Sequence, residues 1–97
     1  MPRHTLPNRR AHEVIDIEHD GHWYRVGVSR FEDGRPAEVC INSKKAGSTI
    51  DTHGQDAAAL ITLLLRCSVD VSTIEQSLDR NPSGLAARVA RVIRGAA

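Results

Sequence analysis

Between Ala57 and Cys67 the chain reads AAALITLLLRC, and no other stretch limits the fold so strongly. Only Thr62 and Arg66 are polar there, four residues apart and therefore on one helical stripe. Ala57, Leu60, Ile61, Leu64 and Cys67 or Ser68 recur at helical spacing, and Leu63 and Leu65 extend the apolar surface almost all the way round. A helix this apolar requires cover on most sides, from the rest of the domain or from a second copy of the chain. It is too short to cross a bilayer, which takes ~20 residues. The stretch reads as a core helix.

Ninety-seven residues suit one domain with a single core, and the 40 % apolar content is that of a globular protein. Trp23, Tyr24 and Phe31 are the only aromatic residues, so close packing falls to branched aliphatics and alanine. Cys40 and Cys67 are far apart and form no CxxC motif, which points to buried free thiols in a reducing compartment. No stretch has the layout of a secretory signal, so a cytoplasmic location with no membrane association is expected. The net charge of +1 is unevenly spread. Residues 1–12 carry Arg3, Arg9 and Arg10 without an acid, and residues 80–97 carry Arg80, Arg88, Arg91 and Arg94 without one. The segment 13–79 holds six Lys/Arg against twelve Asp/Glu. This polarity suits a nucleic-acid contact, a protein contact, or attraction between the ends and the middle.

Residues 1–11 have two prolines, three arginines and no apolar period, and read as a flexible basic arm ahead of one domain over 12–97. From His12 a short strand carries Val14, Ile15 and Ile17. Asp20-Gly21 then signals a two-residue hairpin, because both residues tolerate positive φ. The strand from His22 to Phe31 alternates, with Tyr24, Val26 and Val28 on one face and Trp23, Arg25, Gly27 and Ser29 on the other. A turn at 32–35 leads to Pro36, excluded from a central ladder position. A third strand over about Ala37 to Asn42 places Val39 and Ile41 opposite Glu38, Cys40 and Asn42. Beyond the polar loop 43–48, helical periodicity begins near Asp51 or Thr52 and ends at Ser68-Val69-Asp70. Ser72-x-x-Glu75 has the form of a capping box for a short second helix to about Leu78. Asn81-Pro82-Ser83-Gly84 breaks the chain before a last helix, Leu85 to Arg94, with Leu85, Val89, Val92 and Ile93 inward. The fold class is α+β: a three-stranded antiparallel meander followed by three helices packed on one face, βββααα. Such a sheet has two edges, and pairing in a homodimer would remove one of them.

The segment 34–78 carries Gly34-Arg35-Pro36-Ala37-Glu38-Val39, the loop Lys45-Ala46-Gly47-Ser48, the helix Asp56 to Leu65 and the restart Val69-Asp70-Val71-Ser72-Thr73-Ile74. In these elements, and over about residues 12–94, the chain resembles the TSCPD domain. That domain lies near the C-terminus of adenosylcobalamin-dependent (class II) ribonucleotide reductases and also forms small stand-alone bacterial proteins. The Thr-Ser-Cys-Pro-Asp sequence that names the family corresponds here to Asp79-Arg80-Asn81-Pro82-Ser83-Gly84, where only the proline matches. A thiol or metal role at Asn81 is therefore not carried over. The resemblance implies an accessory module separated from its enzyme; the reductase chemistry itself belongs to a large barrel domain.

His4, His12, His19, His22 and His53 invite a metal reading, with His19 and His22 bracketing the hairpin turn beside Asp20. Structural zinc takes four ligands, neither cysteine has metal spacing to them, and exposed turn histidines are expected instead. Cys40 and Cys67 have no base nearby in sequence and read as small buried hydrophobes. Asp51, His53 and Asp56 suit the N-terminal dipole of the central helix. Lys44, Lys45 and Ser48 form a weak anion-binding candidate ahead of that helix, without the phosphate-loop pattern. Arg88, Arg91 and Arg94 form a basic stripe on the last helix.

These features describe a small non-enzymatic module, homodimeric and without a cofactor or metal, that binds and modulates a protein partner. Its contact residues are expected to be Trp23 and Arg25 on the polar face of the sheet, or Arg88, Arg91 and Arg94 on the last helix. A second reading is a nucleic-acid-binding regulator that uses the basic ends, although aromatic residues for base stacking are not interleaved among them. A third is a metal- or redox-linked accessory domain, which requires a bound metal or a reactive thiol at Cys40.

Overall fold

In the computed structural model, which describes residues 11–45 and 47–95, the chain is ordered βββααα. The strands β1 (Ala11–His19), β2 (His22–Arg30) and β3 (Pro36–Ser43) form one antiparallel sheet in the order β1-β2-β3. They precede α1 (Thr49–Arg66), α2 (Val71–Leu78) and α3 (Leu85–Gly95). Of the arm expected over residues 1–11, residues 1–10 lie outside the described residues, and Ala11 belongs to β1 instead.

Asp20 and Gly21 adopt φ of 51° and 77°, the left-handed pair that a two-residue hairpin needs to match strand twist. The turn sets the register, from His19 opposite His22 to Ala11 opposite Arg30. Pro36 opens β3 opposite Arg30, next to a register shift at Ser29/Arg30. Its missing N–H costs no ladder bond at that position.

One face of the sheet presents Ile17, Tyr24, Val26, Val28, Val39 and Ile41 to Ile61, Leu65, Ile74, Val89 and Ile93 of the helices. Ile41 and Ile93 are essentially inaccessible, and burying a side chain of that size contributes about 1.5–3 kcal/mol. On α3 the buried residues are Ala87, Val89, Ala90 and Ile93, while Leu85 and Val92 are half-buried.

The rotation of α1 about its axis differs from the sequence expectation. Its buried residues are Asp51, Gly54, Ala58, Ile61 and Leu65, whereas Leu60, Leu63 and Leu64 are exposed. The reason is polar. Helix α1 runs along β3 and terminates the hydrogen-bonding edge of that strand. Thr62 Oγ1 accepts from the Val39 N–H and its hydroxyl donates to the Val39 carbonyl, both at 3.0 Å. The Asp51 carboxylate accepts from the Ser43 N–H at 2.8 Å. Asp51 and Thr62 are three turns apart and share one stripe, with Gly54 and Ala58 between them. A Cβ on Gly54 would meet Ile41 Cγ2 at 3.1 Å, so the small residues let the helix close onto the strand. Of the two sheet edges, β3 is thus covered by a helix, and β1 is the open edge among the described residues.

Helix boundaries follow local hydrogen bonding. Ser48 caps α1 by accepting from the Asp51 N–H. The helix ends with Val69 N–H on Leu64 C=O and Ser68 N–H on Leu65 C=O, the Schellman pattern. Ser68, at φ 66°, takes the left-handed position usually given to glycine. The capping box expected at Ser72 does not form, because Asp70 is the N-cap of α2 and Ser72 lies inside the helix. Ser72 donates to Asp70 at 2.7 Å, and Glu75, whose side chain is only 14 % exposed, pairs with Arg94 of α3.

Candidate functional site

The sheet face away from the core is built in rows by the strand register. His12, Ser29 and Glu38 form one row, Val14, Gly27 and Cys40 the next, and Asp16, Arg25 and Asn42 a third. Trp23 stands beyond them opposite Glu18. Gln55, Ala59, Thr62, Leu63 and Arg66 of α1 rise beside the β3 end of these rows and close a groove of about 620 Å³. Arg66 pairs with Glu38 at 2.7 Å across it. Arg25 pairs with Asp16 at 3.2 Å, and that hydrogen bond holds the Asp16 carboxyl below its usual range.

Among the described residues, the exposed large apolar side chains lie on β1, β2 and α1. Leu60, Leu63 and Leu64 are 63 %, 48 % and 41 % exposed, and Val14 and Trp23 about half. Leu60, Leu63 and Leu64 follow i, i+3, i+4 spacing and make one helical patch, and Leu63 forms part of the groove wall. Single exposed leucines are ordinary on protein surfaces, whereas here three share one stretch of helix.

The residues expected as contacts divide between the two sides of the sheet. Trp23 is exposed on the outer face, and Arg25 is exposed but paired. Arg88, Arg91 and Arg94 lie on α3, against the opposite face, and each has a partner within the chain. Arg88 donates to the Glu18 carbonyl, Arg91 to the Pro82 carbonyl at 2.9 Å, and Arg94 pairs with Glu75. Arg91 also reaches Asp79 at 3.5 Å. These arginines fasten α3 to β1, to the preceding turn and to α2.

The loop ahead of α1 is likewise engaged from within. The Asp51 carboxylate accepts from the backbone N–H groups of Ser43 and Gly47, so the anion held there is the protein's own. Ser48 Oγ donates to the Lys45 carbonyl at 2.7 Å while capping the helix, and Lys44 and Lys45 are exposed. His19 lies 3.6 Å from Asp20 at the hairpin tip, and no group of three or more metal-ligating side chains occurs among the described residues.

Both cysteines depart from expectation. Cys40 is exposed and Cys67 half-buried. Strand alternation already placed Cys40 with Glu38 and Asn42 rather than with Val39 and Ile41, and that signal outweighs the general burial preference of cysteine. Gly27, opposite Cys40 in the ladder, leaves the thiol uncovered by a neighbouring side chain. His12, on the far side of β2, faces the same space above Gly27, which spacing along the chain could not show. No helix among the described residues is long and apolar enough to cross a membrane. Compared with known proteins, the chain matches no family model, no curated protein and no solved structure.

Proposed function

We propose that this chain is a small non-enzymatic accessory module of the cytoplasm that binds and modulates a protein partner. The contact surface is the leucine patch of α1, with the outer sheet face that carries Trp23 as a second contact. The observation that carries this reading is the exposure of Leu60, Leu63 and Leu64 on one side of the longest helix. Apolar groups of this size in water favour burial by about 25 cal/mol per Å². The resemblance to the accessory domain of class II ribonucleotide reductases points the same way, toward a module that acts by contact. A second copy of the chain is one candidate occupant, which would make the protein a homodimer. Nucleic-acid binding is the less favoured reading, because Arg88, Arg91 and Arg94 already have acceptors within the chain.

The test compares the wild-type chain with a Leu60→Glu/Leu63→Glu variant. Each is used at native abundance to capture partners, with and without nuclease, and each is weighed in solution by light scattering. Both substitutions are at exposed positions, so the fold is retained. The reading expects a defined protein, or a second copy, held by the wild type after nuclease and lost by the variant. Retention of the same partners by the variant, or loss of all partners on nuclease treatment, refutes it.

A further inference from the structure

The fold treats the two edges of its sheet differently. At β3, Thr62 and Asp51 of α1 bond the outward backbone groups of Val39 and Ser43. Among the described residues β1 pairs with β2 alone. Which of its backbone groups face outward follows from the ladder. Lys44 donates to the Trp23 carbonyl, so the odd-numbered residues of β2 turn to β3 and the even-numbered ones to β1. Their partners Glu13, Ile15, Ile17 and His19 point to β2, which leaves the N–H and C=O groups of His12, Val14, Asp16 and Glu18 on the outer side. Arg88 of α3 bears this out at one end, because it donates to the Glu18 carbonyl.

The outer side of β1 carries few of the devices that shield a sheet edge. The strand is nine residues long, without lysine or proline, and its register with β2 is unbroken. Its carboxylates Glu13 and Asp16 are held by Arg30 and Arg25 of β2, which weakens repulsion between two such strands. Val14, 56 % exposed, stands in the middle.

We propose that the β1 edge is the contact for a second copy of this chain, the two strands pairing antiparallel about a two-fold axis at Val14. Val14 then opposes its own copy, and His12 opposes Asp16 of the second copy, a pair that is complementary in charge when the imidazole is protonated. Every outward N–H and C=O of His12, Val14 and Asp16 finds a partner, and the sheet runs on through both copies. On the core side the half-buried Ile15 residues of the two copies become diagonal neighbours. The adjacent registers fit less well. An axis at Ile15 directs the His12 N–H to the Glu18 carbonyl that Arg88 already holds, and it sets Val14 against the carboxylate of Asp16. An axis at Glu13 sets that carboxylate against itself. Arg88 thus acts as the stop that fixes where pairing ends. The contact goes beyond the binding reading above and does not depend on it, since the leucine patch of α1 stays free for a different protein.

The experiment follows the full chain by sedimentation equilibrium across protein concentration, with amide exchange measured in parallel. The wild type is expected to dimerise, and dimerisation to slow exchange at His12, Val14 and Asp16 but not at Glu13 and Ile15, which bond β2 in either state. Val14→Lys and Val14→Glu, at an exposed position and with their fold verified by circular dichroism, are each expected to weaken the dimer at least about tenfold. Mixed together they are expected to associate, because residue 14 meets residue 14. Leu60→Glu/Leu63→Glu is expected to remain dimeric. A monomeric wild type overturns the proposal, including one whose edge amides are protected at every concentration, the sign that residues 1–10 of the same chain cover β1. A dimer that survives both Val14 variants, or that their mixture fails to restore, overturns it as well. Loss of the dimer with Leu60→Glu/Leu63→Glu overturns it too, and places the second copy on α1 with the binding reading intact. Should a Val14 variant misfold, the concentration dependence of exchange in the wild type decides alone.

Discussion

Replacing Thr62 by valine removes one hydroxyl from the protein and two hydrogen bonds from the edge of β3. Valine matches threonine in shape and is also β-branched, so packing and helix propensity change little. The loss is confined to the Val39 N–H and C=O, each bonded to Thr62 Oγ1 at 3.0 Å. A net contribution of about 0.5–1.5 kcal/mol per bond and a penalty of about 1–3 kcal/mol for a stranded buried group bracket the effect. Thr62 borders the groove and is half-buried, so water relieves part of the penalty. The expected destabilisation is about 2 kcal/mol, which lowers Tm by roughly 10 °C in a domain of this size. Urea unfolding should show a lower midpoint at unchanged slope, the sign of altered stability rather than altered compactness. Amide exchange at Val39 should accelerate, whereas Thr62→Ser, which keeps the hydroxyl, should lose only about 1 kcal/mol. A Thr62→Val change under about 0.5 kcal/mol with Val39 equally protected would refute the role of α1 as the terminator of β3.

Two further outcomes follow from local geometry. Ser68 holds the left-handed C′ position of α1 at φ 66°, so Ser68→Gly should stabilise the chain by about 0.5–1 kcal/mol in urea unfolding, where most substitutions destabilise. Burial of Tyr24 raises its hydroxyl pKa above 10.0, so the unfolded chain ionises first and stability falls as pH rises above 10.0 toward the folded value. Tyr24→Phe should flatten that alkaline limb in unfolding experiments followed across pH, while leaving the neutral region with the same slope.

The βββααα order was legible because each element carries its own local signal. Asp20-Gly21 can adopt the paired positive φ that a tight hairpin demands, and Tyr24, Val26 and Val28 alternate with Trp23, Arg25 and Gly27 at the period of a strand. The breaks at Ser68 and Pro82 likewise act over a few residues. Trp23 and Arg25 were placed on the outer face for the same reason. The end of α2 at Leu78 was legible, but its start was harder to read, because Ser72-x-x-Glu75 has the form of a cap while Asp70 takes that place and Glu75 pairs with Arg94 on a helix distant in sequence.

What the chain alone determined, then, is which segments are strands and helices and which residues share a face. Hydrogen bonding and periodicity act within a few residues, and those are fixed by order along the chain. The tertiary structure decided which side of α1 meets the core. The helix is apolar nearly all round, so hydrophobicity barely distinguishes one rotation from another. The choice fell to Asp51 and Thr62, whose partners on β3 exist only once the sheet has formed. That rotation leaves Leu60, Leu63 and Leu64 in water. Strand pairing, in turn, sets His12 and Cys40 on either side of the space above Gly27, a placement that depends on register across three strands.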